Sequence, residues 1–455
     1  MAAPRRASPV GGLRTLGRAT SRGLVALVPA ALVAGVLYVW LPLASESDFA
    51  ALAGLALVAA LALVLSLGLE RFGILMLSLA LFAAPMNAVR PIPGVGFATA
   101  SDLLLLLGIG ALAPLLLTRP VRGQTLYLIG AGGVVAMSLL SSAVASGTLV
   151  SLNIIARLVV GALLLPLVFA MWRPGRSMVV TLASAYVLGN IANLAHAVFL
   201  GDASPEGRLL GLSMHVNILG FCAMLALALI PYLLRELPHR LRGVVVVAGG
   251  LCAYGVWVSG SRAALVVAVA IGLLYPVVAR SIPALIALFG GGVVAIWFVG
   301  NALLEGESET NTLGRLFGAG SATASDQARD IEAAGAMDAF LSSPIVGGGF
   351  TEEILDAHNI YLQVAAAGGL LVLAFYLVLL AAVGYQSLRC GKRHQLLVLP
   401  VAAYILIGPL TPLLWDRYIW CVLALPFLLD VVRPDDDASH ERGTADPSRE
   451  DPVTP

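Results

Sequence analysis

Apolar stretches of bilayer-crossing length recur along almost the whole chain, and no other feature narrows its fold as far. About 20 predominantly apolar residues cross the hydrocarbon core as one helix. Runs of that kind fall at 24–43, 49–69, 72–88, 102–118, 125–145, 150–172, 177–200, 212–234, 243–259, 263–279, 282–301, 359–384, 396–414 and 417–431. The expected fold is an all-α polytopic membrane protein with about 14 (12–14) transmembrane helices. Composition agrees: 59% of residues are hydrophobic and 12% charged, far from the balance of a soluble domain.

An even number of spans puts both termini on one side. Arg5, Arg6, Arg14, Arg18 and Arg22 precede the first run, and Arg389, Lys392 and Arg393 lie between later ones. Positive charge marks that side as cytoplasmic, so the expectation is a multi-pass protein of the cytoplasmic (inner) membrane. The first run is longer than the apolar part of a signal peptide and reads as a retained anchor. Cys222, Cys252, Cys390 and Cys421 have no ligand spacing and read as packing residues. A formal net charge of +1 offers no footprint for nucleic acid.

Five segments follow: a basic cytoplasmic stretch (1–23), a transmembrane bundle (24–301), a polar extracytoplasmic loop (302–358), further transmembrane helices (359–431) and a disordered, charged, Pro-rich cytoplasmic tail (432–455). The loop opens on Glu305, Glu307, Glu309 and Asn311. It then carries a helical pattern with Ser325 as N-cap, Asp326 in the first turn, and Ile331, Ala334, Met337 and Leu341 along one face. Pro344 and the Gly347-Gly348-Gly349 run stop that helix and turn the chain. Between 302 and 357 the loop holds ten Asp and Glu against Arg315 and Arg329. Such carboxylates keep a loop soluble or hydrogen-bond the hydroxyls of a ligand.

All but seven of the 27 Lys and Arg fall on the cytoplasmic side; the seven are Arg90, Arg157, Arg208, Arg262, Arg315, Arg329 and Arg417. An Arg near the centre of a membrane helix costs roughly 2.5–3.5 kcal/mol on insertion scales, so cations retained there point to an anion. Asn153, Asn190, Asn193, His196, Asp202, Glu206, His215, Asn217, His358, Asn359 and Asp416 fall on the same side. A transporter needs a site reachable from both faces. A one-sided inventory fits an enzyme acting on a lipid-borne substrate, with 302–358 as its cover. Arg suits phosphate because its planar fork donates two parallel hydrogen bonds. One contact at 4 Å is worth roughly 4 kcal/mol before desolvation at an effective dielectric of 20.

The run GRLLGLSMHVNILG (207–220), the turn SGSRAAL (259–265), and the stretch ARDIEAAGAMDAFLSSPIVGGGF…DAHNIYLQVAAAGGLLVLAFY (328–376) resemble the O-antigen ligase family, which includes Wzy-type polysaccharide polymerases. The resemblance covers roughly 200–385 and rests on the order and spacing of the motifs, with Pro-x-x-Gly-x-Gly before a His-Asn that opens a span. It implies a GT-C-like, inverting, metal-independent glycosyltransferase without a cofactor. Its donor is a glycan on undecaprenyl diphosphate, and its acceptor a glycan, lipid or protein at the outer face of the membrane. Arg208, Arg262 and His358 then carry the chemistry: two arginines clamp the diphosphate and the imidazole activates the acceptor hydroxyl. Arg329 takes the place of the family's loop arginine, or pairs with Asp330 or Glu332. Arg157, His215, Asn217, Asn359 and Arg417 are further candidates for substrate contact. Ligase and polymerase stay unseparated, and a transporter or lipid-linked glycan flippase is the rival reading.

Overall fold

The structure, a computed structural model, describes residues 48–92, 98–120, 124–144, 148–201, 203–204, 207–286, 289–292, 301, 315, 322–351, 357–412 and 416–431. The expected basic stretch 1–23, the first run 24–43 and the tail 432–455 lie outside the described residues. So do Asp202, Glu206, Asp356 and the acidic start of the loop. Among the described residues the chain is helical and forms no strand; Ala203 and Leu209 make an isolated antiparallel bridge.

Two compact units divide the chain, one of 1–75 with 110–112, the other of 76–109 with 113–455. Within the first, helix α1 (Asp48–Leu67) ends at Gly68, whose φ of +82° is a left-handed turn that favours glycine. Helix α2 (Leu69–Ala83) begins there. The larger unit continues with α3 (Ala100–Leu116), α4 (Thr125–Val144), α5 (Thr148–Leu158), α6 (Leu165–Trp172), α7 (Arg176–Leu200), α8 (Val216–Glu236), α9 (Arg242–Val258), α10 (Arg262–Ala279), α11 (Ala322–Ser342), α12 (Ile360–Arg389), α13 (Val398–Ile407) and α14 (Arg417–Leu423).

Seven described helical segments are long and apolar enough to cross a membrane: Thr125–Ala143, Val150–Trp172, Arg176–Leu200, Val216–Glu236, His239–Val258, Arg262–Ala279 and Ile360–Arg389. They coincide with seven of the expected runs. The last two runs differ. In place of 396–414 stands a ten-residue helix that ends at Gly408 and Pro409; in place of 417–431 stands the seven-residue α14 and a 3₁₀ turn holding Pro426. Proline removes a backbone donor and ends each helix early. Residues 418–429 are buried, so the second of these pieces sits within protein, where irregular backbone is tolerated at membrane depth, whereas Ile405, Leu406 and Leu410 of the first are exposed.

Helix α8 is the axis of the larger unit. It is apolar all round, and 15 of its 21 residues are buried against α7, α9, α10, α13 and α14. At 1.5 Å per residue it rises about 31 Å, one hydrocarbon thickness. Its last residue, Glu236, is a buried carboxylate gripped by Arg176 and by Arg393, whose Nε lies 2.9 Å from Oε1. Its first turn opens on the candidate site. Two polar clusters therefore stand at opposite ends of one membrane-length helix.

Two interruptions shape the bundle. Between α5 and α6 a π turn (Val159–Leu164) widens the helix, and the Tyr127 hydroxyl donates to the Leu163 carbonyl at 3.1 Å. Helix α12 is broken at Gly369, with φ +70° and ψ −174°. The loop after α11 fills that break: Gly348 and Gly349 donate to the carbonyls of Ala366 and Ala367 (both 2.9 Å), and Leu370 donates to Pro344 (2.8 Å). A Cβ on Gly369 would overlap the backbone of Ile345. The Pro-x-x-Gly-x-Gly motif is thus the seam between the cover and the bundle. Gly369→Ala is expected to cost about 1–3 kcal/mol, from the positive φ and the lost approach. Thermal unfolding in detergent checks this, and an unchanged midpoint would show that the seam is not under this constraint.

Helix α11 starts three residues before the expected cap, which places Ser325 inside its first turns. Ile331, Ala334, Met337 and Leu341, the apolar face of this helix, are exposed, and Ala336 is buried. The helix turns a polar face to the bundle, and that face builds the site.

Candidate functional site

Arg208 reaches the site from the segment before α8. The backbone folds back on itself there, with Ser204 N–H donating to the Arg208 carbonyl at 2.7 Å. Its side chain is buried; Nε donates to the carbonyl of Ser259 (3.0 Å) and Nη2 to Oδ1 of Asn217 (2.8 Å). His215 caps α8, its Nδ1 accepting from the backbone of Asn217 at 3.1 Å. Gly220 lets α8 approach the Ser259–Ser261 turn, since a Cβ there would meet Ser259 Oγ and Ser261 Cβ. Gly260, at φ +65°, makes the turn, and Ser261 caps α10 so that Arg262 is its first residue.

From α11, Asp326, Arg329 and Glu332 recur every three residues and so lie on one face. Arg262 holds Asp326 in a two-pronged pair, with Nη1 to Oδ2 at 2.9 Å and Nη2 on Oδ1. Arg329 Nη1 lies 3.9 Å from the same carboxylate. The Arg262 hydrogen bond holds the Asp326 carboxyl below the usual carboxylate range, partial burial opposes it, and the charges of Arg262, Arg329 and Arg315 reinforce it. Burial, followed by the neighbouring Arg262 charge, lowers the Arg329 guanidinium from its ordinary value.

His358 Nδ1 lies 2.7 Å from Glu332 Oε2. An ionised carboxylate only accepts, so Nδ1 carries the ring proton and Nε2 of the neutral ring is the acceptor. Asn359 is occupied otherwise: its Oδ1 caps α12, accepting from the backbones of Tyr361 (3.0 Å) and Leu362 (3.1 Å).

These elements enclose a cavity of about 510 Å³ lined by Arg208, Arg315, Arg329, His215, Asn217 and His358, with Met214 and Leu210 among its apolar walls. That is a common size for a small-molecule pocket. Five of the candidates therefore converge: Arg208, Arg329, His215, Asn217 and His358. Arg262 does not line the cavity; it stands behind Asp326, next to Ser325 of the wall. Arg157 and Arg417 belong to another hollow, where Arg417 Nη2 donates to Asp102 at 2.6 Å and Arg157 Nε to Asn153 at 3.2 Å. Arg329 pairs with Asp326, not with the expected Asp330 or Glu332.

Three contributors were not singled out in the sequence. Arg315 is buried at the cavity wall, and its one signal was its place among the seven cations. Asp326 and Glu332 were legible only as helix residues; their period of three against Arg329 was the available sign. Among the described residues, no three His, Cys, Asp or Glu side chains group as metal ligands would. No family model and no curated protein matches the chain.

The arrangement offers guanidinium groups for an anion with several oxygens and, beside them, an imidazole whose tautomer a carboxylate fixes. Asp326 ties α11 to the SGSR turn, and the sign of its shift sets the pH range. A lowered folded pKa means the stabilisation is present above the ordinary Asp value and is lost as pH falls through the folded one. Amide protection in Ala322–Ser342, corrected for intrinsic exchange, should then be flat from pH 7 to 5 in the native chain. Asp326→Asn should lower it across that range by no more than about 1 kcal/mol, since the carboxylate is half exposed, and the difference should vanish as pH falls through the folded pKa. Equal protection in the two proteins would deny the pair this role.

Proposed function

We propose that this chain is an inverting glycosyltransferase of the O-antigen ligase type, a GT-C-like protein of 12–14 spans in the cytoplasmic membrane. Its donor is a glycan on undecaprenyl diphosphate, its acceptor a glycan, lipid or protein, and its cavity opens on the extracytoplasmic side. One observation carries the reading: Arg208, Arg329 and His358, distant in sequence, line a single cavity at one end of α8.

In this reading the diphosphate lies between Arg208 and Arg329, with Arg315 beside them. The Asn217 and Ser259 contacts fix the Arg208 fork before substrate arrives, so little reorganisation is needed as charge develops on the leaving diphosphate. The acceptor hydroxyl gives its proton to His358 Nε2 as its oxygen attacks the anomeric carbon from the face opposite the diphosphate; the glycosidic bond to phosphate breaks and the configuration inverts. Glu332 stabilises the imidazolium that results. Arg262 acts through Asp326, holding α11 over the cavity, and is a positioning residue. His215 and Asn217 line the acceptor or sugar portion. The acidic composition of the cover also finds a use, because Asp326 and Glu332 bind bundle-side Arg262 and His358 instead of facing the diphosphate.

A lipid-linked glycan flippase is favoured by one feature, the broken helix α12, since discontinuous spans mark many transport sites. Against it, the broken backbone is filled by the Pro344–Gly349 loop, and the cavity sits at one end of α8.

Purified protein with a lipid-linked donor separates the two readings, because an enzyme releases polyprenyl diphosphate and a flippase does not. His358→Ala is expected to reduce release by roughly 10²–10⁴-fold. Arg208→Lys should lose nearly as much, because an ammonium does not reproduce the fork. Glu332→Gln should cost less and shift the pH profile of the reaction. Release at the native rate by both His358→Ala and Arg208→Lys would remove the proposed chemistry.

A further inference from the structure

The hollow that holds Arg157 and Arg417 is a second site. A polar pocket of about 120 Å³ walled by Arg90, Asp102, Arg157, Asp416 and Arg417 adjoins a groove of about 200 Å³. The groove shares Asp102, Arg157 and Arg417 with the pocket and continues along Leu106, Ala156 and Val160. Met214 borders both this pocket and the Arg208–His358 cavity, so the two stand on either side of one side chain.

The charges here are unevenly matched. Arg417 is committed to Asp102. Arg90 Nη2 donates to the sulfur of Met214 at 2.8 Å, and Arg157 Nε to the amide oxygen of Asn153 at 3.2 Å; both acceptors are neutral. Among the described residues Arg157 makes no ion pair within 4.0 Å. Burial pushes the remaining carboxyl, Asp416, up to about 6. Three guanidiniums face two carboxylates, and Arg157 stands where the polar pocket meets the apolar groove. Leu106 and Ala156 leave that groove open on the outside of the helices.

We propose that Arg157 binds the phosphate headgroup of a membrane lipid, with one acyl chain along Leu106, Ala156 and Val160 and with Arg90 on the far side of the headgroup. A guanidinium at the mouth of an apolar groove, in a helix of membrane-crossing length, is complementary to an anionic amphiphile at both of its ends. The widened π turn that starts at Val159 carries Val160 into the groove just after Arg157. A free phosphate would use the pocket and leave the groove without a role. This assignment stands apart from the glycosyltransferase reading, because its readout is lipid retention and not turnover.

The test is native mass spectrometry of the delipidated full-length protein titrated with phosphatidylglycerol, with phosphatidylcholine and inorganic phosphate as comparisons. The native chain should bind one phosphatidylglycerol at least about tenfold more tightly than Arg157→Gln. Ala156→Phe, which fills the groove and keeps the arginine, should lose the lipid similarly. Arg157→Lys should retain part of the affinity, which guards against simple misfolding. His358→Ala should bind as the native chain does. Equal retention by the native chain and Arg157→Gln would overturn the site. Full retention by Ala156→Phe, or displacement of the lipid by inorganic phosphate from the native chain, would overturn the lipid and leave an anion site only. Equal binding of phosphatidylcholine would overturn the need for a net negative charge.

Discussion

A charged side chain inside a membrane-spanning bundle must find a partner or border a polar cavity, because the surrounding hydrocarbon offers neither. The larger unit is organised by that requirement. Its central helix, α8, is apolar through its length and carries its polar contacts at the two ends. At one end Glu236 takes two arginines and is closed off. At the other, Arg208 is held by a carbonyl and an amide oxygen, both neutral, and borders a cavity. Its contacts with Ser259 and Asn217 hold the guanidinium at the wall of that cavity. One end of the helix is thus a closed ion cluster and the other borders open space.

The same rule sorts the arginines that the sequence presents as equivalent. Arg262 and Arg208 both flank helix starts on the same side of the bundle, yet Arg262 holds Asp326 behind the cavity, while Arg208 donates to Ser259 and Asn217 and lines the cavity itself. Arg417 is paired with Asp102, whereas Arg157, lining the same groove, donates to the amide of Asn153 and, among the described residues, makes no ion pair within 4.0 Å. Position along the chain does not distinguish the two; the location of the nearest carboxylate does, and that is fixed by tertiary packing.

Legibility in the sequence follows from this. Long helices were visible because apolar runs of membrane length have few other solutions, and α4, α7, α8, α9, α10 and α12 lie where the runs predict. The C-terminal runs misled because hydropathy does not separate a lipid-facing helix from a short one buried in protein; Pro409 and Pro426 carried the missing information. Convergence of Arg208, Arg329 and His358 on one cavity followed the motif spacing, since Gly220 and Gly369 permit a close backbone approach and Gly260 a left-handed turn that the motifs encode. The partners of those residues were not legible. Asp326 and Glu332 lie on a helix whose apolar stripe, Ile331, Ala334, Met337 and Leu341, faces outward. In a membrane protein an exposed apolar stripe is as acceptable as a buried one, so the pattern alone gives no direction.

The two ways in which α11 is attached have different strengths, and the contrast bears on how a bulky lipid-linked substrate would enter. At its C-terminal end the chain is locked into the break of α12 by backbone hydrogen bonds and by glycines that admit no side chain. In its N-terminal half and at its middle it is tied by the Arg262–Asp326 and His358–Glu332 pairs, whose carboxylates are 49% and 34% exposed. Ion pairs that exposed contribute roughly 0–1 kcal/mol each, within reach of substrate binding energy. The seam at Gly369 is therefore the firmer of the two attachments. In the proposed reaction, separating Asp326 from Arg262 would add a fourth guanidinium to Arg208, Arg315 and Arg329, so the acid that ties α11 to the SGSR turn is also the group whose departure would raise the positive charge beside the cavity.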